Sequence, residues 1–466
     1  MTNAMALRQL KKLIKSGKRC HMIGIGGISM SPLAEILHGM GIEVTGSDIA
    51  DSETVKKLRG MGMEISLNHR RENVSGASYI IRTAAAQKDN VEIIAARKSG
   101  IPVFERAQAW GCIMQDYKNA VCVAGVHGKT TTTSMVSHIL LAAEKDPTLM
   151  IGGVLPALGA SYRVGKGDTI VLESCEYYNS FHNFTPTVAV VLNVDADHLD
   201  FFRDLNDLKK SFFKFASLVP ADGHIVCNGD DANTMETLAP LNHRLFTFGL
   251  GERSKVRGVN MRVGGRNPSM DVLYDGKPFC HVAINLPGLY NLKNALAATA
   301  VAIALGIPAN AIEQGLAEFK SAARRFEFKG SYNGADVYDD YAHHPSELRA
   351  MLDAVATLGY ERTILVFQPH TFSRTHALFY EFVTELSRAD ITFLAEIYAA
   401  REKKLEGVSS STLAAAVHGA RCIASLEELA NEVAAVAKCG DIVLTVGAGD
   451  VYKVGEIMLE KSVNIR

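Results

Sequence analysis

Short β-rich apolar runs alternate with helix-period patterns along almost the whole chain, and that alternation constrains the fold more than any other feature. Parallel strands cannot be joined by a tight turn; the chain must cross back over the sheet, usually as a helix. The sequence therefore reads as α/β, and its 466 residues leave room for about three domains. A first series opens with a strand at 22–26, a helix at 29–40 and a strand at 43–46, and ends in a helix near 106–115. A second opens with a strand at 120–124 and closes with the helix at 290–306. It is interrupted at 254–287, where strand-like runs and glycine turns ("NMRVGGRNPSMDVLYDGKPF") predict an antiparallel insertion rather than a separate domain. A third starts after "ARRFEF" at 323–328. The expected architecture is a Rossmann-like N-terminal domain (1–118), a central P-loop ATPase-type α/β domain (119–322) and a C-terminal Rossmann-like α/β domain (323–466).

Composition narrows the partners. Hydrophobic residues make up 47% and charged ones 21%, enough to give each domain a core. Lys+Arg (49) and Asp+Glu (50) balance to a net charge of −1, so neither nucleic acid nor an anionic membrane is expected as a partner. Anions would have to be met by local groups. The longest apolar run, "TVAVVLNV", falls well short of the ~20 residues of a membrane span. The basic start "MTNAMALRQLKKLIKSGKRC" lacks a secretory apolar core. The eight cysteines form no C-x-x-C pair, the usage of reduced thiols, and a cytoplasmic location is expected.

One junction carries recognisable chemistry. In "AGVHGKTTTT", Gly125, Val126, His127 and Gly128 turn the chain after a strand, and Lys129, Thr130 and Thr131 open a helix. Amides at a helix N-terminus attract anions, a lysine there reaches terminal phosphates, and a threonine hydroxyl can ligate Mg²⁺. The spacing G-x-x-G-K-T is shorter than the common G-x-x-x-x-G-K-[ST], and a plain turn with a solvated lysine is the alternative. Glu173 ends one apolar run and Asp197–His198 follow another. In open α/β sheets ligands gather at the carboxyl ends of strands, so these residues should converge on Lys129. For Asp197 and His198 alone, an N-cap followed by an exposed histidine is the preferred reading; it gives way only beside Glu173 and Lys129. A second glycine turn, "GIGGISMS" around Gly26, Gly27, Ile28, Ser29 and Met30, is similar to a dinucleotide fingerprint without matching G-x-G-x-x-G, and alone would suggest a nicotinamide cofactor.

Nine stretches make the chain resemble the Mur ligases over nearly its whole length: "HMIGIGGISMSPLAEIL", "GVHGKTTTT", "NVDADHLD", "YNLKNALAA", "ARRFEFKG", "YDDYAHHPSEL", "FQPHTFSRT", "EIYAAREK" and "LTVGAGDVY". The likeness is strongest to members acting on UDP-N-acetylmuramate and L-alanine. It implies ATP-dependent amide formation through an acyl phosphate in peptidoglycan precursor synthesis, with two Mg²⁺ ions. By the same resemblance Lys129 holds the β/γ-phosphates, Thr130 and Glu173 one Mg²⁺, and His198 a second. Asn291 would contact adenine, Asp340 the ribose, and Arg325 the phosphates as the third domain closes. The diphosphate of the sugar nucleotide would lie on the amides around Gly27, Ile28, Ser29 and Met30, with Asp48, His69 and Thr83 near the nucleotide.

His344, His370 and Arg374 are the candidates for the substrate carboxylate and incoming alanine. "HHP" could equally be a helix N-terminal signal, with Pro345 in the first turn. The run "ESCEYYNSF" keeps Glu173 and Ser180 of a more acidic family run, Val126 and Thr371 stand where threonine and arginine are usual, and Tyr290 where a histidine is common. A monomer or homodimer is expected. Rival readings are a Mur-type ligase adding a whole peptide to the same sugar nucleotide, a nucleotide switch without ligation, and a nicotinamide oxidoreductase.

Overall fold

The computed structural model describes residues 3–198, 201–400 and 402–463; the last two residues of "NVDADHLD", Arg401 of "EIYAAREK" and the chain ends lie outside them. The alternation resolves into three sheets. The first holds β1 (Cys20–Ile23), β2 (Val44–Ser47), β3 (Glu64–Ser66), β4 (Tyr79–Arg82) and β5 (Val103–Glu105), all parallel, in the order β3-β2-β1-β4-β5. The strand order reverses between β1 and β4, which leaves a crevice at their carboxyl ends. β1 stops at Ile23, short of the expected Gly26, because Gly24 turns to a φ of 75° that no strand allows.

The second sheet has ten strands in the order β15-β14-β13-β12-β11-β10-β6-β9-β7-β8. Its parallel centre is β6 (Asn119–Ala124), flanked by β9 (Thr169–Glu173) and β10 (Val188–Val191). β7 (Thr148–Leu155), β11 (His224–Asn228) and β12 (Leu245–Gly249) extend it in parallel, and β8 (Ala160–Arg163) adds an antiparallel edge. The interrupted stretch is an antiparallel meander of β13 (Val256–Arg262), β14 (Ser269–Tyr274) and β15 (Lys277–Ala283). It is an insertion as expected, but β13 pairs in parallel with β12, so it lengthens the main sheet.

The third sheet runs β16-β17-β21-β18-β19-β20: β16 (Glu327–Tyr332), β17 (Ala335–Asp340), β18 (Arg362–Phe367), β19 (Ile391–Leu394), β20 (Arg421–Cys422) and β21 (Asp441–Val446). All its pairs are parallel except β16 with β17.

The three sheets share their cores. One apolar cluster joins Leu10, Met22 and Trp110 of the first unit to Val191 and Phe212 of the second; another joins Val123 and Leu296 of the second to Leu348 and Phe367 of the third. Central strands are buried on both faces, as β6 and β10 show, which is why their sequences are near-continuous valine and alanine. No described helix is long and apolar enough to cross a membrane.

Candidate active site

The Lys129–Ala142 helix starts directly beneath the carboxyl end of β6. Gly125 (φ 147°) and Gly128 (φ 82°) make the turn, and a Cβ at Gly128 would stand 2.5 Å from Asn294 Oδ1. Asn193 grips the same turn: its Oδ1 accepts from the His127 amide at 2.8 Å and its Nδ2 donates to the His127 carbonyl at 3.0 Å. Four consecutive threonines are poor helix formers, yet all are buried here. Thr133 donates back to the Lys129 carbonyl and Ser137 to that of Thr133, while Thr130 and Thr132 donate outward to Glu173 and Asn294.

Lys129 turns back over the loop. Its Nζ donates to the carbonyls of Gly125 (2.6 Å) and Val126 (3.1 Å) and to both carboxylate oxygens of Glu176 (3.1 and 3.0 Å). Burial opposes the charge on Lys129, but Glu176 outweighs it and holds the ammonium above the ordinary lysine range. Glu173 lies alongside, accepting from Thr130 Oγ1 at 3.1 Å and from the Gly152 amide at 2.7 Å. His198, with a φ of 53°, presents Nε2 3.6 Å from Glu176 Oε1 and stacks on Tyr177 at 4.5 Å. Lys129, Thr130, Glu173 and His198 therefore converge as the sequence suggests.

Glu176, whose side chain is 1% exposed, is the residue that sequence reasoning passed over. The signal was a second acidic residue three positions after Glu173. It meets the lysine from the loop after β9, just before a turn through Tyr178 and Asn179, both in the left-handed region.

The third unit closes over this cluster. Arg325 Nη2 donates to Thr130 Oγ1 at 3.2 Å, from a loop in which Arg324 and Phe326 both have positive φ. Arg324 is tied to its own unit by Asp339 (2.9 Å). The Ala323 amide donates to the Val154 carbonyl of the middle unit at 2.9 Å, so the hinge is pinned on both sides. Asp340, at the end of β17, accepts from the amides of Phe326 and Ala342 at 2.7 Å each. Burial pushes its pKa up to about 6, against the pull of Arg325.

Asp340 and Asn291 line a cavity of about 230 Å³ beside the loop, together with His127, Tyr290 and Met351. Asn291 is buried, and its Nδ2 is spent on the Pro287 carbonyl at 2.7 Å; Phe248, Tyr290 and Phe326 give the cavity aromatic surface.

Arg374 is already engaged. Its Nε and Nη2 donate to Asp197 Oδ1 (3.2 and 2.9 Å), and its Nη1 lies 3.0 Å from His370 Nδ1. Arg374 and His198 hold the Asp197 carboxyl below its usual range although burial works the other way. His343, not His344, stands beside His370, with ring centroids 5.5 Å apart. Burial lowers the pKa of both to about 4, so at neutral pH they act as uncharged imidazoles. His344 does not join this pair. It caps the Pro345–Val355 helix, in a capping box with Glu347 and with Pro345 in the first turn. Its ring packs against His127 at 5.0 Å. Thr371, where an arginine is usual, has a φ of 67° and caps the Phe372–Ala377 helix.

In the first unit the glycine turn is less open than expected. The amides of Gly27 and Met30 are spent on the carbonyls of Gly24 and Gly27, and that of Gly26 on Asp48 Oδ2 (2.9 Å). Those of Ile28 and Ser29 are left for a ligand. Met30 is buried, whereas Ile28 is 61% exposed. Trp110 Nε1 donates to both the carbonyl and the hydroxyl of Ser29 at 3.0 Å, and the Ser29 hydroxyl reaches Met150 Sδ of the middle unit at 3.1 Å. His69 is bonded to Ser47 Oγ (3.1 Å) and Glu92 Oε2 (2.9 Å), and Thr83 follows β4 at the crevice. A cleft of about 620 Å³ runs from Ile28 and Lys57 past Tyr162 to Thr130 and Arg325, so all three units face one space.

Comparison with known proteins agrees with this arrangement. Residues 19–118 match the Mur ligase family catalytic domain, 123–302 the Mur ligase middle domain, and 324–449 the Mur ligase glutamate ligase domain. The UDP-N-acetylmuramate–L-alanine ligase of Clostridium novyi (strain NT) is 42% identical over 449 residues, covering 96% of this chain and 98% of its own. That of Caldanaerobacter subterraneus subsp. tengcongensis is 44% identical over 450 residues, with the same coverage. The crystal structure of the UDP-N-acetylmuramate–alanine ligase from Thermotoga maritima superposes with a TM-score of 0.78 at 27% identity, covering 96% of this chain and all of that one. With such identity sustained across nearly its whole length, the chain belongs to the Mur ligase family.

Proposed function

We propose that the protein uses ATP to join L-alanine to the carboxylate of UDP-N-acetylmuramate in the cytoplasm, a step of peptidoglycan precursor synthesis. The observation that carries this reading is the Lys129–Glu176–His198 cluster beside Glu173 and Thr130, at the head of a cleft reached by all three units. In the reaction, the substrate carboxylate attacks the γ-phosphorus of ATP to give an acyl phosphate and ADP. The alanine amine then attacks the acyl carbon, and phosphate leaves as the amide forms. Phosphoryl transfer needs alignment and compensation of spreading negative charge more than covalent help.

Lys129 supplies a cation at the β/γ-phosphates. On arrival the phosphate oxygens would replace the loop carbonyls that it now touches. Arg325 approaches the same phosphates from the third unit, and Asn291, Tyr290 and Asp340 frame the nucleoside. Thr130, Glu173 and Glu176 offer hard oxygen donors, with His198 as a tolerable nitrogen, a set that fits Mg²⁺. When bound, Mg²⁺ neutralises charge on the transferred phosphoryl group. In the first unit the amides of Ile28 and Ser29 would receive the diphosphate, with Asp48, His69 and Thr83 near the nucleoside. Arg374 and His370 orient the carboxylate and the amine, and Arg374 can do so only by sharing itself with Asp197.

Phosphate release from purified protein tests the reading. It should require both UDP-N-acetylmuramate and L-alanine, and release that ignores either substrate overturns it. If a tripeptide competes with alanine as acceptor amine and is incorporated, the peptide-adding alternative is correct.

A further inference from the structure

The contact between the middle and third units holds a second group of ligating side chains, apart from Glu173 and Thr130. His127 lies in the phosphate-loop turn, Asp195 follows β10, and His344 caps a helix of the third unit. Each brings one ligand atom within 4.8 Å of the others. His127 Nε2 is 3.4 Å from Asp195 Oδ2. His344 is 6% exposed, yet its Nε2 has no hydrogen-bond partner. An orphaned buried nitrogen of this kind costs stability unless something fills it.

The far ring nitrogens have partners of the kind a metal-bound imidazole uses: Glu347 Oε1 lies 3.2 Å from His127 Nδ1, and Ser346 Oγ lies 2.7 Å from His344 Nδ1. His344 Nδ1 also accepts from the Ser346 amide at 3.3 Å as the helix cap, so an ion at Nε2 draws the ring into the other tautomer, with Nδ1–H donating to Ser346 Oγ instead. A carboxylate or hydroxyl on the far nitrogen orients the ring and directs the other lone pair to the ion.

We infer that His127, Asp195 and His344 form a binding site for a zinc-class divalent cation that ties the middle unit to the third. Two imidazoles and one carboxylate suit Zn²⁺, whereas Mg²⁺ prefers all-oxygen octahedra. Donors about 2.0–2.1 Å from a tetrahedral ion stand about 3.3 Å apart, so side-chain rotation closes the 4.8 Å span. A water completes four-coordination. His127 and Asp195 belong to one side of the cleft and His344 to the other, so the bound ion opposes opening of the two units. Binding also displaces the proton that Asp195 and Glu347 favour on His127.

The test uses the full chain without substrates, so it stands or fails independently of the ligase reading. Chelator-stripped protein is titrated with Co²⁺ in excess Mg²⁺ while visible ligand-field absorption is recorded. One equivalent should bind with tetrahedral bands, and Zn²⁺ should displace it. His344→Ala and Asp195→Asn should each weaken binding by about tenfold or more, and His198→Ala should not change it. Asp195 is 46% exposed at its side chain, so its variant keeps the test valid if His344→Ala does not fold. Absence of tetrahedral bands, unchanged affinity in Asp195→Asn, or bands lost in His198→Ala alone would overturn the site.

Discussion

The first and middle units each open a helix with a glycine turn at the carboxyl end of a strand, but the two turns face different company. Around Gly26–Met30 the amides of Gly26, Gly27 and Met30 are turned inward, the Asp48 carboxylate caps the loop itself, and among the described residues no cation hydrogen-bonds to the turn. Around Gly125–Thr130 a lysine, two glutamates and an arginine from another unit crowd into hydrogen-bond range, with a histidine 3.6 Å from one of the glutamates. The same backbone physics can hold a phosphate in either place. The difference teaches that backbone geometry selects an anion, while the surrounding charges decide whether it is merely held or also activated.

The carboxylates make the same point. Glu92 of the first unit is wholly buried among Ser47, His69 and Asn73, with His21 3.6 Å away. Glu176 is just as deep but is matched to a formal cation. One is a structural knot, the other half of an exchangeable pair.

Substitutions can break this contrast, and the largest effect should come from Lys129→Ala. Substrate-dependent phosphate release should fall by about 10³-fold in kcat, because the developing charge loses its cation. A loss below tenfold would mean that the second turn is no more than a cradle. Next, Glu176→Gln should reduce kcat by about 10²-fold. It should also destabilise the nucleotide-free protein by about 3–5 kcal/mol, since an unpaired buried ammonium remains. Adding ATP should then raise the melting temperature of the variant more than that of the parent; an equal shift would show that the phosphates do not take over from Glu176.

The third test concerns pH. Burial opposes the charge on Glu92, but His21, Ser47 and Asn73 prevail and lower its pKa from 4.5 to about 2. A depressed carboxylate stabilises fully above its unfolded value, so this contribution of about 3 kcal/mol at most is present above pH 4.5 and lost as pH falls towards 2. Thermal melts from pH 5 downward should fall less steeply for Glu92→Gln than for the parent, and parallel curves would deny Glu92 this role. The smallest effect belongs to Ser29→Ala, which should raise KM for the sugar nucleotide by less than about tenfold, on the scale of one hydrogen bond, and leave kcat alone. A fall in kcat there would erase the distinction between the two turns.

Much of this was legible in sequence because it is local. Strand–helix alternation revealed three sheets with parallel centres, and Gly-Lys-Thr and Glu173 sit at strand ends that periodicity locates, with His198 in the loop after another strand. What could not be read is what depends on distant pairing. Arg374 meets Asp197 across 177 residues, and His344 meets His127 through the docking of one unit on another. Glu176 was missed because its pairing with Lys129 joins residues 47 apart that no periodicity brings together. The crowding of the first turn by its own hydrogen bonds was equally hidden, since glycine spacing does not show which amides a loop consumes.

The indole that bonds Ser29 is also the chain's single tryptophan. The fold thus carries one indole fluorophore, sealed from solvent, with its polar edge on the very loop where the sugar nucleotide is expected. Emission excited at wavelengths the tyrosines do not absorb should consequently report arrival at that loop as a single-source signal, separable in time from events at the phosphate-bearing helix.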